Sequence, residues 1–220
     1  ASNDTDTAYG KRMASLDLRS PGDRARFEAL VRGADVFVQA FRFDVMPKLG
    51  FSRERVAELR PGIVYTSLTA FGYTGPWAGR RGFDTVVQPA SGMAMIQGGG
   101  LDTPEMTPVS GLDYLAGYLM MFGTLVALKR RAEVGGSYSV NVSLARVREW
   151  LLGLGLVPAD RVRATPTDLG SEELSSMMVT VPSPLGELKR FGPLIRFSDG
   201  AFADLPPWPV FDVPQADWKA

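Results

Sequence analysis

The chain has 220 residues, with 24 Lys+Arg against 24 Asp+Glu, so its formal net charge at pH 7 is zero. A neutral chain has no global attraction for nucleic acid or for anionic membranes, and neither is expected as a partner. The sequence contains no Cys and no His, which excludes disulfides, thiolate nucleophiles, a Ser-His-Asp triad and most zinc catalysis. Acid–base or covalent chemistry must therefore come from carboxylates, Lys, Tyr, Ser or Thr.

The sequence also predicts where the protein acts. No apolar run approaches the roughly 20 residues needed to cross a bilayer, and the first ten residues are polar and unlike a signal peptide. We therefore expect a soluble, cytoplasmic protein. The length permits one domain, and we expect an α/β core over residues 1–155 and an irregular C-terminal segment, 156–220, that packs on it.

Helices and strands alternate in the first part of the chain. Capping residues, prolines and apolar periodicity predict, in chain order, helix 21–32, strand 35–39, helix 53–60 and strand 63–68. Short connections between a strand, a helix and a strand are typical of a parallel sheet that is covered by helices. The glycine- and proline-rich segment 71–77 follows the second strand and is predicted to be a loop at the edge where open α/β sheets bind ligands.

The middle of the chain is predicted to be mostly helical. The pattern predicts helix 82–97, kinked or interrupted at Pro89, then a flexible connector over 98–108, helix 113–131, strand 137–142 and helix 143–154. Because helix 113–131 is apolar nearly all round, we expect it to be buried in the centre of the structure. Beyond residue 155 the periodicity weakens, although 179–188 is compatible with a short strand.

Three features are candidates for chemistry. Asp113 stands at the start of the long helix, where it is either a carboxylate nucleophile or a plain N-cap, and position alone favours the cap. The triple glycine 98–100 is either a phosphate cradle or a flexible turn, and the turn is favoured because no P-loop Lys follows. Arg80 and Arg81 suit phosphate binding, although adjacent arginines are more often solvated surface residues.

An ordered set of short motifs carries a family resemblance. The motifs occupy residues 34–42, 49–51, 60–67, 71–76, 82–84 and 91–93, followed by Asp113 before a long helix. Together they resemble family III CoA-transferases of the formyl-CoA and carnitine type over about residues 8–152. Residues 184–186 and 196–199 are similar to the C-terminal signature of that family. The resemblance implies a Rossmann-like open parallel sheet with flanking helices, similar to the family's large domain.

The resemblance also implies a mechanism and a set of site residues. Asp113 aligns with the family's nucleophilic aspartate, which attacks an acyl-CoA and then carries CoA as an aspartyl-CoA thioester to a second carboxylic acid. Phe41, Lys48 and Arg81 align with contacts to the CoA nucleotide. Coenzyme A is thus implied as a co-substrate and not as a tightly bound cofactor, and no metal is implied. Phe83 stands where the family's racemase branch has a His, so racemisation is disfavoured.

Two differences from the family bear on completeness. Family members are about twice as long, with an earlier strand–loop–helix segment that holds CoA and a small domain before the C-terminal signature. This chain is therefore expected to be a fragment, a subunit completed by a partner, or a non-catalytic relative. The leading expectation is an acyl-CoA- and carboxylate-dependent CoA-transferase that forms a homodimer or a hetero-oligomer, and the alternative is a non-catalytic or partner-dependent subunit of the same fold.

Overall fold

The fold is described from a computed structural model, in which residues 11–166, 168–183, 186–192 and 198 are described. Contacts within the chain divide it into two compact units. One unit comprises residues 17–156, and the other combines residues 11–16 with the described residues from 157 onward. The packing of the C-terminal segment on the core remains a prediction.

The larger unit is built on a three-stranded parallel sheet. Its strands are β1 (Val36–Gln39), β2 (Val64–Thr69) and β3 (Tyr138–Ser143), in the order β1-β2-β3. All three strands run in parallel, with Val36 opposite Val64 and Val64 opposite Tyr138. The predicted α/β class with a parallel sheet and flanking helices is therefore confirmed.

Seven helices of this unit connect and cover the strands. They are α1 (Pro21–Gly33), α2 (Val45–Lys48), α3 (Arg53–Leu59), α4 (Asp84–Ala90), α5 (Met93–Gly98), α6 (Gly111–Val134) and α7 (Leu144–Gly153). The predicted interruption of helix 82–97 is present, but it lies at Ser91 and Gly92, and Pro89 is accommodated inside α4. Gly92 has a φ of 77°. This left-handed conformation is unfavourable for residues that carry a side chain, and it ends α4.

Two apolar clusters form the core of the larger unit. The first joins α1, β1, α2, α3 and β2, and its buried side chains are Val31, Phe37, Met46, Phe51, Val56, Leu59, Ile63 and Tyr65. The second lies where α4, α5, α6 and α7 meet the end of β2, and its members are Ala70, Val87, Met93, Leu112, Ala116, Leu144 and Val147. The start of α6 is thus packed through Leu112 and Ala116.

Helix α6 crosses back over the sheet from its carboxyl edge to its amino edge. Near the end of the helix, the Arg131 guanidinium donates to Asp35 Oδ1 at 3.1 Å and to the Gly62 carbonyl at 3.2 Å, and these residues precede β1 and β2. Near its middle, Thr124 Oγ1 lies 2.7 Å from Thr66 Oγ1. Because Arg131 lies at the amino edge, the first turn of α6 lies at the opposite, carboxyl edge.

The expected burial of α6 is wrong. Its buried residues are Leu112, Ala116, Met120 and Ala127, whereas an apolar stripe on the helix is exposed and comprises Tyr114, Tyr118, Met121, Phe122 and Leu125. The sheet covers only one side of the helix, which explains the difference. By length and composition alone α6 is also apolar enough to cross a membrane, contrary to the expectation that no segment is.

The second unit contains more regular structure than expected. It includes α8 (Ala159–Arg163), α9 (Ser171–Met177) and an antiparallel hairpin of β4 (Met178–Ser183) and β5 (Gly186–Phe191). These elements correct the expectation of an irregular segment between 156 and 192. The predicted C-terminal signature, apart from Gly186 and Ser198, lies outside the described residues.

The close approach of α6 to the sheet gives a stability prediction. A Cβ on Gly123 would lie 2.7 Å from Val140 Cγ1, whereas a Cβ on Gly117 would meet nothing within 4 Å. Gly117→Ala should stabilise the protein by up to about 1 kcal/mol through helix propensity. Gly123→Ala gains the same propensity but overpacks a β-branched neighbour, so it should destabilise by about 1 kcal/mol net.

Urea unfolding of the two glycine variants and the unmodified protein measures both changes in the free energy of unfolding. Both substitutions add one methyl group to the same helix. They therefore differ in the room that this methyl group finds between the helix and the sheet. Equal stabilisation by both alanines would show that α6 does not approach β3 as closely as described.

Candidate active site

Asp113 lies in the first turn of α6, beyond the carboxyl edge of the sheet. Eleven residues separate it from Thr124, a rise of about 16 Å along the helix, whereas the strand continues only about 10 Å from Thr66 to Thr69. The first turns of α6 therefore reach past the end of β2, where Ala70 packs with Leu112 and Ala116. This is the edge at which open α/β sheets bind their ligands.

A second carboxylate lies beneath the first turn of α6. Asp84, the first residue of α4, is only 2% exposed. Its Oδ2 accepts the backbone N–H of Leu112 at 2.8 Å and that of Asp113 at 3.3 Å. The N-cap residue Ser110 makes no side-chain capping bond. The side-chain cap of α6 therefore comes from a different helix, which the sequence analysis did not predict.

Gln88 donates the third hydrogen bond to Asp84. One turn along α4, its Nε2 donates to Asp84 Oδ1 at 2.5 Å, while its Oε1 accepts the Thr107 N–H at 2.9 Å. Gln88 is itself buried, so its amide connects Asp84 to the segment before α6. The i, i+4 spacing of an Asp and a Gln was the available sequence signal, since such pairs hydrogen-bond on one helix face.

The carboxylate of Asp113 has no partner in the part of the chain that the structure describes. It is exposed to solvent, and its oxygens accept no hydrogen bond from the residues that the structure describes. Burial of part of the group, followed by repulsion from Asp84, raises the pKa of Asp113 above its usual value. A helix N-terminus favours the charged form of a carboxylate, but these two effects outweigh it at Asp113.

The glycine-rich connector does not provide a phosphate cradle. The N–H groups of Gly99 and Gly100 both donate to the Met95 carbonyl and end α5. A Cβ on Gly98 would lie 1.6 Å from the Thr103 carbonyl oxygen, because the connector folds back tightly. The Glu105 N–H also donates to Ala94. The turn interpretation, and not the cradle, agrees with this geometry.

The three residues aligned with CoA contacts lie in the segments that follow β1 and β2. Phe41 is 58% exposed just after β1, and Lys48 follows in α2, where its Nζ lies 2.5 Å from Asp44 Oδ2. Arg81 is exposed in the loop that leads to α4. The hydrogen bond from Lys48 lowers the pKa of Asp44. No hydrogen bond or ion pair joins these three residues to Asp113 within the described ranges.

Aromatic side chains connect the loops after β1 and β2. Tyr73 packs edge-on against Phe43, with ring centroids 6.3 Å apart, and Arg53 lies over the Tyr73 ring at 4.5 Å. The Tyr73 hydroxyl donates to Ser67 Oγ at 2.7 Å, and Ser67 donates to Asn141 Oδ1 at 2.9 Å. This polar row at the carboxyl edge was not predicted, because its members are far apart in sequence.

The loop after β2 carries a second cluster of two aromatic rings and an arginine. Trp77 packs edge-on against Phe71, with centroids 5.2 Å apart, and the Arg80 guanidinium lies 4.6 Å from the Trp77 ring centre. Of the two candidate arginines, Arg80 therefore covers an indole, while Arg81 makes no hydrogen bond or ion pair with a described residue. Arg81 is consequently the better placed of the two for an anionic ligand.

Comparisons with known proteins identify the family. The profile of CoA-transferase family III matches residues 6–181 of the chain. Acetyl-CoA:oxalate CoA-transferase of Acetobacter aceti is 39% identical over 136 residues, which are 61% of this chain and 35% of that protein. Succinate–glutarate CoA-transferase of Agrobacterium fabrum is 33% identical over 146 residues, 66% of this chain and 36% of that protein.

Solved structures give the same result for the fold. A CAIB/BAIF family protein from Brucella suis matches with a TM-score of 0.63 and 26% identity over 81% of this chain and 48% of that chain. The protein Rv3272 from Mycobacterium tuberculosis matches with a TM-score of 0.62 and 29% identity over 66% of this chain and 41% of that chain. This chain spans about a third to a half of each of these relatives. It belongs to CoA-transferase family III.

Proposed function

We propose that this chain provides the nucleophile of a CoA-transferase, which moves CoA from an acyl-CoA to a carboxylic acid. The observation that carries the proposal is the Asp113 carboxylate, which is exposed at the carboxyl edge of the sheet and has no hydrogen-bond partner among the described residues, in a member of CoA-transferase family III. Relatives named as CoA-transferases act between acyl-CoA and acid substrates, which supports the reaction class.

The proposed reaction proceeds through four successive acyl substitutions, with Asp113 as the covalent carrier of CoA. A carboxylate oxygen of Asp113 attacks the thioester carbonyl, and CoA leaves as a thiolate, giving a mixed anhydride. The thiolate then attacks the Asp113 carbonyl, which releases the first carboxylate and leaves an aspartyl-CoA thioester. The acceptor carboxylate attacks this thioester to form a second anhydride, and the returning thiolate takes the acceptor acyl group and frees Asp113.

This sequence of steps suits a chain without His or Cys. Each nucleophile is already an anion and each leaving group departs as an anion, so no proton has to be delivered or removed. The requirement is instead that Asp113 be ionised and unpaired when it attacks. Its raised pKa, caused by burial and by Asp84, makes the ionised form more basic and therefore more nucleophilic.

The CoA nucleotide is proposed to lie along the loops after β1 and β2. The Phe41 ring is exposed and available for stacking on adenine. Lys48 and Arg81 supply two cations for phosphate groups, and Arg81 has no competing described partner. To contact CoA, Lys48 must exchange its Asp44 oxygen for a phosphate oxygen.

The alternative is a partner-dependent or non-catalytic subunit of the same fold. The apolar stripe of α6, exposed at five large side chains, favours it, since such contiguous apolar surface commonly marks an interface. Related proteins are named as alpha and beta subunits of a succinyl-CoA–L-malate CoA-transferase. A homodimer or hetero-oligomer is therefore proposed, and size exclusion together with calorimetry of CoA binding separates an active assembly from an inactive one.

Asp113→Asn should reduce CoA transfer by at least about 10³-fold, because the amide lacks the nucleophilic charge. Incubation with an acyl-CoA followed by hydroxylamine should convert Asp113 of the unmodified protein to a hydroxamate, which peptide mass spectrometry locates. The variant should form none.

The matched control is Asp102→Asn, which removes an exposed carboxylate from the connector before α6. It should leave both the rate and the Asp113 adduct unchanged. Undiminished transfer by Asp113→Asn, with hydroxamate formed on another residue, would refute the assignment of the nucleophile.

Lys48→Gln and Arg81→Gln should each weaken CoA binding about tenfold, the expected effect of losing one charge-assisted hydrogen bond. Isothermal calorimetry at low salt measures the two dissociation constants, and the difference from the unmodified protein should shrink as salt screens the charges.

Arg55→Gln serves as the control for the loss of one positive charge, since Arg55 pairs with Glu58 on α3. Its dissociation constant for CoA should equal that of the unmodified protein. A loss of affinity that is the same in all three variants would indicate only a general charge effect and would remove Lys48 and Arg81 from the proposed site.

A further inference from the structure

The amides at the start of α6 are already occupied by a buried anion. A carboxylate with the exposure of Asp84, 2%, is costly to bury unless it is fully hydrogen-bonded. Its three donors are Gln88 Nε2 and the backbone N–H groups of Leu112 and Asp113. Two of the otherwise unsatisfied amides of the helix are thereby paired.

This arrangement argues against the interpretation of Asp113 as the cap of α6. An Asp in the first turn of a helix commonly turns its carboxylate back onto the N-terminal amides. Here Asp84 holds that position, and a second carboxylate entering it would meet a like charge. The Asp113 side chain consequently faces solvent, with no described hydrogen-bond donor to its oxygens.

Gln88 fixes Asp84 in this place and extends the connection. Its amide nitrogen holds Asp84 Oδ1, and its amide oxygen holds the Thr107 N–H. Val87, its neighbour on α4, belongs to the same apolar cluster as Leu112 and Ala116. The hydrogen bonds and the apolar packing thus both hold α4 against the first turn of α6.

We propose that Asp84, oriented by Gln88, is a positioning residue for Asp113: it fixes the first turn of α6 and keeps the Asp113 carboxylate away from the helix amides, free to react. The proposal rests on the proposed function, in which Asp113 is the nucleophile, and adds the device that keeps it available. Asp84 itself touches no reacting atom.

The electrostatic effect of Asp84 on Asp113 agrees with a positioning role for Asp84 and a reactive role for Asp113. Burial and the charge of Asp84 are the two causes that raise the pKa of Asp113. The other titratable groups on the elements packed against α6 are Tyr65 on β2, Tyr138 on β3, and Arg146, Arg148 and Glu149 on α7. None of them is a cause of this shift. Removing the charge of Asp84 should therefore lower the pKa of Asp113.

The first test needs no catalytic activity. Asp84→Ala should speed hydrogen exchange at the Leu112 and Asp113 amides at least about tenfold, the effect of losing a charged acceptor. Asp84→Asn keeps an oxygen for these amides, so it should retain most of the protection while moving the Asp113 carboxyl titration, followed by ¹³C NMR, to lower pH.

The control is Ser52→Ala, which removes the side-chain cap of α3, where Ser52 Oγ accepts the Arg55 N–H at 3.2 Å. It should lower stability without changing amide exchange at Leu112 and Asp113 or the Asp113 titration. Unchanged exchange in Asp84→Ala would overturn the proposal. If that variant does not fold, an unchanged Asp113 titration in Asp84→Asn overturns it equally.

The second test uses the reaction. In Asp84→Ala, kcat should fall at least about tenfold while KM for acyl-CoA changes by less than about threefold, because misplacement of the nucleophile affects the chemical step. In Asp84→Asn the acid limb of the pH profile should move to lower pH, since Asp113 ionises more easily. A profile that stays in place would contradict the role of Asp84.

Different results would refute the proposed function and the positioning role of Asp84. If the unmodified protein, with any required partner, transfers no CoA, the proposed function is refuted, and amide exchange and the Asp113 titration still decide whether Asp84 positions Asp113. If transfer occurs and requires Asp113 but does not respond to Asp84→Ala or Asp84→Asn, the proposed function stands and the positioning role is refuted.

Discussion

Helix α6 is held at both ends by charged side chains, and the geometry of the site depends on that constraint. At its C-terminal end Arg131 binds the backbone and side chain of residues that precede the first two strands. At its N-terminal end Asp84 binds the first free amides. A helix fixed in this way cannot slide along the sheet, so the height of Asp113 above the carboxyl edge is determined.

Two aspartates close in space have different roles because their surroundings differ. Asp84 is buried and its oxygens accept three hydrogen bonds, which makes it a structural anion. Asp113 is exposed and its oxygens have no described donor, so its charge is available for chemistry. In the proposed function, this division between a fixed and a free carboxylate would give a chain without His or Cys a nucleophile that needs no separate base.

Local signals predicted most of the secondary structure, and long-range packing explains what they missed. Ser52 caps α3 as expected, and the ordered motifs led to the correct family. The cap of α6 was missed because Asp84 and Leu112 are 28 residues apart, and Asp84 is also a normal first-turn residue of its own helix. The exposure of Phe122 was missed because an apolar composition does not reveal which side of a helix is covered.

The candidate site residues also differ in whether a local sequence pattern marks them. Asp113 was singled out by its position before a long helix, a local pattern, whereas the finding that another carboxylate caps α6 required the contact with Asp84. The role of Asp113 as a nucleophile stays a prediction. Phe41, Lys48 and Arg81 came from the resemblance, and no physical pattern in the sequence marks them, because a ligand contact leaves no periodicity. Their roles remain predictions that depend on a bound nucleotide.

The exposed stripe of α6 and Asp113, the proposed nucleophile, lie on the same helix. Tyr114 begins the stripe one residue after Asp113. A surface that covered the stripe would also remove water near Asp113, and desolvation already contributes most to the raised pKa of that carboxyl. Covering the stripe would thus make Asp113 more basic and would shield a mixed anhydride from hydrolysis. The proposal that a partner covers this helix and the proposal that Asp113 is the nucleophile are therefore compatible.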